Sequence, residues 1–171
     1  MTASAPDQAQ APRRIVLTLA VFALVAFVAA VVCAFGFASL ITDVSVIDEP
    51  DAGPLVGPLM VAAAAFVLFS ALIVVGIRVD ATSRFISLWA IAATGVATTA
   101  AYLLAGAVVY SATTGDLVDA VLFVGHHILR LFTLVVFLLA VITAVLYLLV
   151  LLRQLHGGLR PLWPWEKSGR G

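Results

Sequence analysis

The sequence predicts an all-α integral membrane protein, a bundle of four transmembrane helices running up-down-up-down. Three observations carry that reading. Of 171 residues, 64% are hydrophobic and only 11% are charged, whereas a soluble domain has about 25% charged residues. Four long apolar runs contain no charge at all. The basic residues between and beyond those runs fall almost entirely on one side of a four-span topology.

The runs come first. The hydrocarbon core of a bilayer is about 30 Å thick, so a helix needs about 20 apolar residues to cross it. Residues 15–41, 55–77, 85–110 and 131–152 meet that length. Backbone polar groups in lipid must be satisfied within the segment, which selects helices. The runs are too long for strands and lack a period of two. Arg13 and Arg14 precede the first run as a signal peptide's basic region would. That run, however, is longer than the usual apolar region of such a peptide, so it reads as a retained helix.

Orientation follows from charge, because Lys and Arg near span ends favour the cytoplasmic side. Arg13, Arg14, Arg78, Arg84, Arg153, Arg160, Lys167 and Arg170 share one side of the four-span arrangement. The other side has Arg130 and collects Asp43, Asp48, Glu49, Asp51, Asp116 and Asp119. Both termini are therefore expected in the cytoplasm, with the chain in the bacterial plasma membrane. Residues 1–14, rich in Ala, Pro and Gln, are expected to be a disordered cytoplasmic tail. Residues 15–152 form the transmembrane domain and 153–171 a second cytoplasmic tail. Pro50, Gly53 and Pro54 break the acidic outer connection. Residues 78–84 make a short inner turn, where Asp80 and Arg84 stand at i,i+4. Trp163 and Trp165 suit the headgroup level.

Lipid tails are as apolar as leucine, so helix association rests on close packing at small residues. Two seams have four-residue spacing: Ala26, Ala30, Ala34 and Ala38 in the first span, and Ala93, Ala97, Ala101 and Ala105 in the third. Residues 62–65 add a small patch to the second. An alanine-rich composition would also scatter such spacings. Thr94, Thr98 and Thr99 can satisfy their hydroxyls on the preceding helical turn.

One segment departs from this pattern. Residues 116–130 read DLVDAVLFVGHHILR. Wound as a helix, Asp116, Asp119, His126, His127 and Arg130 fall within about 100° of one another. Joined straight to the fourth span, the helix would measure about 54 Å, far more than the core. The segment therefore lies along the outer interface or projects beyond it, with Gly125 as the expected bend and Arg130 at the boundary. As an interfacial helix, Asp116 caps it, Asp119 complements its dipole and Arg130 meets lipid phosphate or a carboxylate. As a ligand, proton or transport site, His126, His127 and Arg130 would face the bundle and pair with Asp48, Glu49 or Asp51. Metal or haem ligation is the third reading. Adjacent histidines diverge by about 100° on a helix, and His156, the other candidate axial ligand, belongs to the far side.

The remaining motifs are negative. A lone Cys33 permits no internal disulfide and no cysteine metal site. Net charge is zero, so nothing favours nucleic acid. No phosphate-binding loop, nucleophile elbow or C-x-x-C is present. No catalysis and no cofactor are expected. Arginine outnumbers lysine eight to one, a bias of high-GC genomes. In topology and composition the whole chain is similar to the small four-span actinobacterial membrane proteins of unknown function. That resemblance carries no motif and implies no functional residue. Two function classes remain: a structural or accessory subunit partnering itself or another membrane protein, and a small transporter, channel or pH-responsive protein using the His126, His127 and Arg130 patch.

Overall fold

The structure, a computed structural model, describes residues 5–42, 56–78, 88–115, 124–125 and 130–155. Four long helices account for nearly all of them: α1 (Ala5–Thr42), α2 (Val56–Arg78), α3 (Leu88–Thr114) and α4 (Leu131–Leu155). Each is long and apolar enough to cross a membrane. At 1.5 Å per residue, the 23 residues of α2 span about 34 Å, just over the thickness of a hydrocarbon core.

The apolar runs and the helices coincide, with differences at the ends. Helix α1 begins at Ala5 and not at Ile15, so it takes in residues 5–14, where an irregular tail is expected. Ala and Gln are good helix formers, and Pro6 falls in the first turn, where a missing N–H costs nothing. Helix α3 runs on past Tyr110 to Thr114, and α4 past Leu152 to Leu155. At Gly115 the backbone turns to φ +76°, and its N–H donates to the Ser111 carbonyl at 2.8 Å. That bond is the left-handed C-cap that ends α3.

Consecutive helices alternate in direction. Val16 near the start of α1, Gly76 near the end of α2 and Tyr147 late in α4 meet at one end of the bundle. Phe35 late in α1, Tyr102 in α3 and Phe132 at the start of α4 meet at the other. A groove between α2 and α3 pairs Leu59 with Val108, the start of one helix with the end of the other. Each helix packs on its two neighbours in a ring, and α2 and α3 make the most extensive contact.

The diagonals close differently at the two ends. At the first end α4 reaches α2 because Gly76 has no side chain. A Cβ there would collide with the Tyr147 hydroxyl and stand 2.9 Å from a Val16 methyl. At the second end Phe35 reaches across from α1 to α3. Its ring stands edge-on to Tyr102 at 6.4 Å and to Phe132 at 5.1 Å between centroids, the geometry that aromatic quadrupoles favour. Midway, Gly95 lets α3 approach α4, where a Cβ would stand 2.7 Å from Val141 and 3.1 Å from Phe137.

The outside is as apolar as the inside. Phe22, Phe37, Phe66 and Leu104 are each more than 60% exposed, on three different helices. A monomer in water rarely shows so large a contiguous apolar surface. Trp89, 85% exposed at the start of α3, stands at the end where Val16 and Gly76 lie, as an indole at the headgroup level would.

Candidate functional site

The polar segment before α4 is described only in part. Asp116, Asp119, His126 and His127 lie outside the described residues. Val124 and Gly125 are helical, and Gly125 faces open space. Residues 126–129, which join Gly125 to Arg130, lie outside the described residues, and the described chain bends at Arg130. There the carbonyl accepts the Thr133 N–H at 3.1 Å and the Leu134 N–H at 3.2 Å, which makes Arg130 the N-cap residue of α4. The helix starts at Leu131, where the apolar run starts. Arg130 is half-buried there, beside the buried Phe132 and Thr133.

Inside the bundle the polar atoms are neutral hydroxyls. Thr94 donates to the Ala90 carbonyl at 2.8 Å and Thr99 to Gly95 at 2.9 Å, as their spacing predicts. Thr98 differs. Its hydroxyl is fully buried and has no hydrogen-bond partner among the described residues, and the Tyr147 hydroxyl is in the same state. Among the described residues no group of three His, Cys, Asp or Glu could hold a metal ion. Cys33 is exposed on α1.

The alanine seams sit at the edge of the core. In α1 the buried line runs through Val16, Ala20, Phe27, Val31 and Phe35. Beside it Ala26 is exposed, while Ala30, Ala34 and Ala38 are half-buried. In α3 the buried line runs through Ile91, Thr94, Thr98 and Tyr102. Ala93 and Ala97 are exposed, and Ala101 and Ala105 are half-buried. These last two line an open groove of about 440 Å³ on the α2–α3 face, opposite Ala62 and Ala63. A second groove, of about 230 Å³, runs between α1 and α4. Close helix approaches occur at Gly76 and Gly95, single glycines whose spacing gives no pattern in sequence.

Charge is gathered at one end. Arg13 and Arg14 precede Val16, Arg78 follows Gly76 and Arg153 follows Tyr147; all four are exposed. Because Val16, Gly76 and Tyr147 meet, these arginines surround one end of the bundle. Among the described residues the other end has Arg130.

A family profile matches residues 9–170, nearly the whole chain. The chain belongs to DUF6121, a family of unknown function. The match takes in α1 from residue 9 onward and the whole of the other three helices of this DUF6121 chain. Comparison with curated proteins and with solved structures gave no match.

Proposed function

We propose that this DUF6121 chain is a four-span integral protein of the bacterial cytoplasmic membrane with both termini in the cytoplasm. In this reading it works without catalysis, as a structural or accessory subunit that associates with itself or with another membrane protein. The observation that carries the reading is the outward small-residue surface of α2 and α3. Ala62, Ala93 and Ala97 are exposed, and Ala63, Ala101 and Ala105 are half-buried at the surface. Such surfaces let a further helix approach closely, which is how helices associate in lipid. The one-sided arginines support the orientation. Disulfide crosslinking in native membranes tests the association. With Cys33 replaced by alanine, a cysteine at Ala62, Ala93 or Ala97 gives a crosslinked species larger than the monomer. Monomer at all three positions, and in native-lipid extracts, contradicts it.

A second reading makes the outer segment a transport or pH-responsive site. It is favoured by the half-buried Arg130 at the start of α4, since an ionisable group held against a bundle interior in a membrane is commonly functional. Its test is His126→Ala together with Arg130→Ala. A lost flux or pH-dependent phenotype at normal expression supports it, and unchanged behaviour removes it.

A further inference from the structure

We infer that the α1–α4 face binds an anionic glycerophospholipid, with the headgroup phosphate on Arg153 and an acyl chain in the groove beside it. The groove is walled by Leu19, Ala23 and Ala26 of α1 and by Leu146 and Val150 of α4, and the Tyr147 side chain also lines it. Its α4 wall runs from Thr143 to Val150, about 10 Å along the axis. One leaflet of the hydrocarbon core is about 15 Å deep. The groove therefore fits most of the membrane depth of one chain.

Arg153 stands seven residues beyond Leu146 and three beyond Val150, so all three share one face of α4. It is exposed, just past the end of the groove, at the level a phosphate would occupy. Arg13, Arg14 and Arg78 add positive charge at the same end. No carboxylate occurs among the side chains that the structure describes. Over the whole sequence, residues 1–14, 78–84 and 153–171 carry eight basic and three acidic groups. An amphiphile with an anionic head and an apolar tail matches this arrangement. A zwitterionic lipid would bring a cation into a basic cluster.

The inference rests on the membrane-spanning reading, so the test separates the two. Membranes containing the full chain are first washed with alkaline carbonate. Retention in the pellet upholds the membrane reading whatever follows; release contradicts both. The protein is then extracted in mild detergent and mixed with equal amounts of phosphatidylglycerol and phosphatidylcholine. Bound lipid is read by native mass spectrometry. Phosphatidylglycerol is expected to dominate. Arg153→Gln is expected to weaken its retention about fivefold, the effect of one surface basic residue on anionic lipid. Ala26→Phe, or the milder Ala26→Leu if the first misfolds, fills the groove and is expected to remove retained lipid. Equal retention of the two lipids, or a phosphatidylglycerol preference unchanged in Arg153→Gln and in the folded groove-filling variant, overturns it.

Discussion

The hydroxyl of Tyr147 occupies the space that a β-carbon on Gly76 would need. Tyr147 is 3% exposed, so its ring cannot swing out cheaply when α2 gains a side chain. Gly76→Ala sets two effects against each other. Alanine improves helix propensity by about 1 kcal/mol, while overpacking a dense site costs about 1–3 kcal/mol. The clash should win, giving a net loss of up to about 2 kcal/mol in thermal unfolding in detergent. Tyr147→Phe removes a buried hydroxyl that has no partner among the described residues, so alone it should be neutral or slightly stabilising. In that background Gly76→Ala should cost less, and a double-mutant cycle measures the coupling. Additive effects would mean that the two groups do not share this space.

Gly95 provides a second case with an internal control. A methyl there meets Val141, whose β-branched side chain is stiff, and Phe137 behind it. Gly95→Ala should therefore lower the melting temperature. Gly36→Ala meets nothing within 4 Å and should leave it unchanged or raise it. The opposite ranking of the two variants would contradict the packing described for α3 and α4.

The four long apolar helices were legible in the sequence because length and apolarity are the properties a bilayer selects. The inner face of each helix was not. Water on one side of a helix forces an apolar stripe, but lipid does not, so inside and outside carry the same residue types. In α3 the alanines stand at the edge of the core while Thr94 and Thr98 are buried. Gly76 and Gly95 escaped notice for a related reason: a lone glycine in an apolar run has no period.

Phe35 should be the most sensitive aromatic position. It makes edge contacts with both Tyr102 and Phe132, and so ties α1 to α3 and α4. Two such pairs contribute about 1–3 kcal/mol in total. Phe35→Ala should lose at least that in detergent. Phe22, 69% exposed, should tolerate alanine with little change. Equal losses at the two positions would remove the distinction between core and periphery.

Thr98 and Thr94 invite a paired test. Both are buried, but only Thr94 is hydrogen-bonded among the described residues. Thr98→Val removes an unsatisfied hydroxyl and should be neutral or stabilising by up to about 1 kcal/mol. Thr94→Val gives up a bond of 2.8 Å and should be the worse of the two. Stabilities that rank the other way would place an unseen partner on Thr98.

The central claim is that the arginine-rich end of the bundle lies in the cytoplasm and the Phe35 end faces outward. Cysteine accessibility in intact cells tests it most directly. With Cys33 replaced by alanine, single cysteines are placed at Arg14, Arg78 and Arg153 at one end and at Ile41 and Gly115 at the other. A membrane-impermeant maleimide should label positions 41 and 115 in intact cells, and positions 14, 78 and 153 only after permeabilisation. Labelling of 14, 78 and 153 in intact cells, with 41 and 115 protected, would contradict the orientation. Labelling from both sides at either end would contradict the four-span arrangement itself.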